Sequence, residues 1–354
     1  MVPVRGEPGR LSPAPEARIG FCCTFVSPTG DTKEERQTNM RRVTMSYLAR
    51  QSPAAAFDKL HEVVAHNLDA LDRLLAFVAA RSPLERMFRI ISGFLPGWSH
   101  PQAMPLYRDA DLSRLIETRL AAAGAFARNH DVRLSMHPGQ HAILATLRDS
   151  ALDNAITDIM EHVEIMTMLG FGGGWHPHGA HVNIHGGAAA AGVDGLRHGL
   201  SKLPQTARDL ITIENDENAF GLDDLLALAD DVALVVDFHH HWVKSQGEYL
   251  LPDDRRVDRL QDAWRGVRPA AHISVSREAL YSELLDEELP DFAELSAAGF
   301  KASELRAHSD MMWNAAINDL VAAHLSWADI EVEAKSKNLA SAQLAAHVSR
   351  AAAA

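Results

Sequence analysis

Short apolar runs alternate along this chain with longer stretches whose apolar residues recur at helical spacing. RIGFCCTFV at 18–26 reads as a first strand. Leu60, Val63, Val64, Leu68, Leu71, Leu74, Leu75 and Val78 then predict a helix at about 57–80. MFRIISGFL is a second strand, and a helix follows over Asp109–Asn129. VRLSM, HVNI, LITIE, ALVVDF, AHISV and IEVEA supply six more strands, with helices predicted at about 150–169, 310–325 and 338–350. Eight strands alternating with helices predict an α/β protein, a (β/α)₈ TIM barrel. The expected layout is a flexible leader at 1–17 and one domain over 18–354. The exception to the rhythm is 276–309, a long connection of the kind that usually carries function.

Six of the strand-like segments end in an acid or an imidazole. They are VRLSMHPGQ (His137), HVNIHGG (His185), ITIEND (Glu214), LVVDFHH (Asp237, His240), AHIS (His272) and IEVEAK (Glu333). In a parallel barrel the C-terminal strand ends meet at one mouth, so these groups are expected to converge there. A mixed nitrogen and carboxylate set of this size suits a cluster of two or three divalent ions, Mn²⁺ foremost, with Zn²⁺ or Fe as alternatives. Such clusters suit phosphodiester hydrolysis because they neutralise both attacking and leaving oxygens. Glu214 and Glu333 are the candidate catalytic carboxylates, and Lys335, two residues past a ligand, is the candidate catalytic cation. Asp237 and His240 break strand alternation, so one of them is expected in a loop beyond the strand. His239 and His241 are expected beside the site or exposed, and His176, His178 and His181 in a plain polar loop. Phe21, Trp98, Arg41 and Arg42 are placed where they could touch a ligand at the mouth.

Composition narrows this only a little. The 354 residues are 47% hydrophobic and 23% charged, ordinary globular values. A formal charge of −13 argues against an indiscriminate polyanion binder, though a local basic groove or bound cations can reverse the field. Cys22 and Cys23 are adjacent and the only cysteines, so no disulfide framework is expected and a reducing cytoplasm is. No apolar run is long enough to span a bilayer.

SMHPGQ (135–140), NIHGG (183–187), IENDE (213–217), VVDFHHH (235–241), AHSDMMW (307–313) and VEAKSKN (332–338) together resemble the UV damage endonuclease family. FRI…LP…SHP (88–101) and the opening RIGF strengthen the likeness, which runs from about residue 18 to 340 in family order. The resemblance implies a TIM barrel related to endonuclease IV, up to three divalent ions, commonly manganese, and nicking of damaged double-stranded DNA immediately 5′ to ultraviolet photoproducts and some other lesions, leaving a 3′-hydroxyl. The family's metal pattern maps onto His137, His185, Glu214, Asp237, His240, His272, His308 and Glu333, which adds His308 to the set read from strand ends. The pair resembling the family's lesion wedge is Gln140–His141, with imidazole in place of the family's tyrosine. Ala270 replaces the family lysine two residues before His272, and Phe21 and Phe25 stand where tyrosine and asparagine are expected. The chain is expected to act as a monomer without an obligate protein partner. Two other readings compete: a xylose isomerase-like barrel enzyme acting on a small sugar or modified metabolite, and a metal-binding barrel that serves only as an interaction protein.

Overall fold

A computed structural model describes residues 17–280 and 287–353. Eight parallel strands close on themselves in sequence order, with the eighth pairing back onto the first. They are β1 (Ile19–Cys22), β2 (Met87–Ile90), β3 (Arg133–Met136), β4 (His181–His185), β5 (Ile211–Glu214), β6 (Ala233–Asp237), β7 (Ala270–Ile273) and β8 (Asp329–Val332). The major helices are α1 (Pro53–Ala79), α2 (Ala110–Asn129), α3 (Asp149–Met166), α4 (Gly192–Lys202), α5 (Phe238–Lys244), α6 (Arg255–Ala263), α7 (Ala315–His324) and α8 (Asn338–Ala353).

The period of two along each strand sorts side chains into two layers. One parity, including Phe21, Phe88, Ile90, Leu134, Ile184 and Ile330, is apolar and buried in the main hydrophobic core with α1 and its neighbours. Burying each such side chain contributes about 1.5–3 kcal/mol. The other parity faces the barrel interior, where an apolar patch of Met87, Ala233, Val235 and Ala270 sits among polar groups that pair with one another. Near its N-terminal end Asp329 accepts hydrogen bonds from Arg18, Arg133 and Arg268.

Element boundaries follow capping and backbone chemistry. β1 stops at Cys22, short of the predicted 26, because Cys23 takes a left-handed φ of 71°. α1 begins at Pro53, earlier than the predicted 57, because Ser52 caps it from Ala55 N–H and proline suits the first turn. α7 begins only at Ala315, where Asn314 accepts from Ile317 N–H. The long connection carries short helices at Phe292–Ala297 and Ala302–Leu305, while 281–286 lie outside the described residues. Of the expected leader, 1–16 lie outside the described residues, and Ala17 is already buried in the core. Among the described residues no helix is long and apolar enough to cross a membrane.

Candidate metal centre

The C-terminal strand ends bring the imidazoles and carboxylates together around Glu214. Three triads have ligand atoms mutually within 4.8 Å: His137, His185 and Glu214; Glu214, His272 and Glu333; Glu214, Asp237 and His240. Glu214 is common to all three. Its Oε2 lies 3.3 Å from His137 Nε2 and 3.2 Å from His272 Nδ1, and its Oε1 lies 3.4 Å from His240 Nδ1. Seven of the eight ligands expected from the resemblance fall in these triads. His308 does not: it lies on the same wall, its ring 6.3 Å from that of His240, held by a bridge to Ser276.

Local chemistry explains several placements. Asp237 ends β6 and is the N-cap of α5, accepting from His240 N–H at 2.7 Å. The segment after β6 is therefore a helix rather than the expected loop, and the cap geometry sets residues three apart side by side. His137 Nδ1 lies 2.8 Å from the Pro138 carbonyl; donating there leaves Nε2 with a free lone pair toward Glu214. Asn183 donates to Glu214 and accepts from Thr212 Oγ1, which fixes the orientation of its amide. Asn215 bonds both the N–H and the carbonyl of Asp237.

The cluster is buried and charged. Burial by itself would raise the Glu214 carboxyl, but the imidazoles of His272, His137 and His240 hold it well below the usual range. Burial would depress His272, yet the Glu214 and Glu331 carboxylates lift it to about 10. Arg89, on β2 and nearly fully buried, crosses to β8: its Nη2 lies 2.7 Å from Glu331 and 2.6 Å from Glu333, and 3.0 Å from His272 Nε2. Ser135 donates to the other oxygen of Glu331. Two buried ligand atoms, His185 Nδ1 and Asp237 Oδ2, have no hydrogen-bond partner among the described residues. Unsatisfied buried acceptors beside carboxylates suit a cation, and the mixed nitrogen and oxygen donor set suits a divalent one.

Several expected contacts lie elsewhere. Phe21 has the outward parity of β1, and its ring packs 5.1 Å from Phe88 and 6.3 Å from Phe77, so it is core rather than mouth. Trp98 stacks edge-on against Tyr107 and donates to Glu164 at 2.7 Å; it lines a separate cavity of about 430 Å³ against α3. Arg41 pairs with Glu62 and Arg42 is exposed, both off the cleft wall because the segment before α1 is tied to Asn67. The Lys335 ammonium is 3.0 Å from Asp310 and forms no ion pair with a ligand among the described residues. Gln140 reaches the cleft, whereas the His141 ring folds back over Gly139. His239 and His241 are buried and not exposed, and His239 lies beside the site, its ring 5.9 Å from that of His308. His176 and His181 are also buried, against Trp264 at the N-terminal side, correcting the polar-loop expectation. Ala270 sits a layer below His272 in an apolar patch with Met87, Val235 and Trp264.

Sequence reasoning missed Arg89, Ser135, Asn183, Thr212 and Glu331. The signal was present: Ser135, Asn183, Thr212 and Glu331 each stand two residues before a ligand on or just past the same strand, hence on the same inward face. The cluster opens into a cleft of about 700 Å³ whose wall includes His185, Glu217, His240, Arg306, His308 and Glu333. Gly187 closes one side at φ 121°, where a Cβ would come within 2.8 Å of the Ala145 carbonyl; the close approach is to its own neighbouring loop.

Comparison with known proteins identifies the family and the fold. Residues 17–352 match the family described as UV-endonuclease UvdE. A UV DNA damage endonuclease of Bacillus cereus (strain B4264) is 24% identical over 316 residues, covering 86% of this chain and 87% of its own. One from Bacillus mycoides (strain KBAB4) is 25% identical over 306 residues, covering 82% and 84%. The crystal structure of SacUVDE superposes with a TM-score of 0.71 at 20% identity, covering 94% of this chain and 98% of that one, which is a likeness of fold.

Proposed function

This chain belongs to the UV-endonuclease UvdE family, and on that premise we propose that it is a metal-dependent DNA-repair endonuclease that nicks 5′ to ultraviolet photoproducts. The observation that carries the reading is the convergence of three ligand triads on one buried carboxylate, Glu214, three of whose partners, His185, His240 and Glu333, line the cleft.

His137 and His185, His272 and Glu333, and Asp237 and His240 would each hold a divalent ion with Glu214 as the shared ligand. Such ions supply Lewis acidity that offsets charge building on the phosphoryl oxygens. Manganese is our first choice for the carboxylate-rich set. The chain's own residues preorganise that site. Asn183 and Thr212 fix the Glu214 carboxylate, Asn215 fixes Asp237, and Arg89 with Ser135 steadies the Glu331–Glu333 edge. Gln140 stands at the cleft, where it could reach the bases flanking a lesion, and His141 would have to swing away from Gly139 to join it. His308 is proposed to act from the cleft wall rather than in a triad. The two cysteines are free, Cys22 buried and Cys23 half-buried, which suits the reducing cytoplasm where we place the protein.

Manganese-loaded protein incubated with an irradiated duplex is expected to yield one nick per lesion on its 5′ side, with a 3′-hydroxyl. Absence of cleavage across Mn²⁺, Zn²⁺ and Fe²⁺, with metal shown to be bound, would leave the small-metabolite barrel as the better reading.

A further inference from the structure

Arg306 stands at the rim of the cleft and is the only arginine or lysine among the described residues that line it. The rest of the wall is acidic or neutral, with Asp216, Glu217 and Glu333, and the chain carries a formal charge of −13. Apart from the wall histidines and any bound ions, a polyanion entering would therefore find its one permanent positive charge at this guanidinium.

The Arg306 side chain is 44% exposed and its Nη1 lies 2.5 Å from Oε1 of Glu217. The backbone beneath it is fixed on both sides. Leu305 is fully buried with Trp242 and Val243, and its carbonyl accepts from Ser276 Oγ at 2.5 Å. His308 is bridged to the same Ser276. Among the described residues this guanidinium on an anchored backbone is held by one ion pair, 44% exposed on the arginine side and 13% on the glutamate side, so the arginine can be reached from the cleft while Glu217 keeps Asn218 and His240 as neighbours if the pair opens. Its planar fork matches the two non-bridging oxygens of a phosphodiester.

We propose that Arg306 exchanges Glu217 for a backbone phosphate of the bound strand, so that Glu217 is a built-in competing anion that holds Arg306 in the free protein. This rests on the DNA reading above and names a substrate-positioning residue for it. The ion pair makes opposite predictions for its two halves, which a merely structural pair would not.

Fluorescence anisotropy of the manganese-loaded full-length protein with an undamaged labelled duplex, from about 25 to about 200 mM salt, reads both affinity and phosphate contacts. Arg306→Gln is expected to weaken binding roughly three- to tenfold and to reduce the salt slope by about one. Glu217→Gln is expected to tighten binding roughly two- to threefold. Unchanged affinity and slope in Arg306→Gln, with wild type binding normally, overturn this assignment and leave the endonuclease reading intact. Failure of wild type to bind at the lowest salt overturns the DNA reading and this proposal together. If Arg306→Gln does not fold, Arg306→Lys decides: weaker binding with an unchanged slope supports the fork geometry, and wild-type affinity overturns it.

Discussion

Replacing Arg89 with methionine tests how the barrel interior balances its charge. The guanidinium is 5% exposed and faces Glu331, Glu333 and His272, so Arg89→Met keeps most of the volume and strands two carboxylates. Removing one partner of a buried ion pair costs about 3–5 kcal/mol. That is a large part of the roughly 5–15 kcal/mol by which domains are stable. With a guanidinium chloride slope of about 6 kcal/mol/M, the unfolding midpoint should fall by roughly 0.5–0.8 M. Adding Glu331→Gln removes one stranded charge and should return part of the loss, which the double-mutant cycle measures. Loading with Mn²⁺ should shrink the Arg89→Met penalty, because a cation on Glu333 takes over its neutralisation. Chelated and loaded protein would be compared by circular dichroism. A cost below about 1 kcal/mol in the chelated protein, or an equal cost in both forms, would refute this account of the barrel interior.

Glu214→Gln should lower metal content by elemental analysis and cut nicking of irradiated plasmid more than about a hundredfold, since even groups that only orient ligands are worth about 10–100-fold. Phe21→Ala should cost about 3–5 kcal/mol in unfolding experiments while duplex affinity stays within twofold, as fits a core ring and not a ligand contact. Glu161 is buried on α3, and burial pushes its carboxyl up to about 7 even though Ser99 donates to it. Its contribution to stability is full below about 4.5 and is lost as pH rises through about 7, so Glu161→Gln should flatten the stability profile across that window by up to about 3 kcal/mol.

Strand order and the ligand set were legible because both depend on short-range pattern. A strand of period two followed by an amphipathic helix is written locally, and an imidazole or carboxylate at each strand end needs only the closed barrel to bring it to the mouth. His185, Glu214, His272 and Glu333 are read this way. Parity is equally legible in the sequence. Phe21 shares the face of Ile19 and so cannot enter the barrel, while Ser135, Asn183 and Glu331 share the face of the ligands two residues on.

Other features were decided only in three dimensions. Arg89 meets Glu331 and Glu333 across 242 and more positions of chain, and no local pattern encodes which cation neutralises which acid. Lys335 sits beside a ligand in sequence yet turns to Asp310, because the backbone after β8 is held by Ser309 and Asp310. Local sequence specifies periodicity, caps and the residue at each strand end; the pairing of charges inside the barrel and the aim of the side chains in its loops are set by which segments the closed sheet makes neighbours.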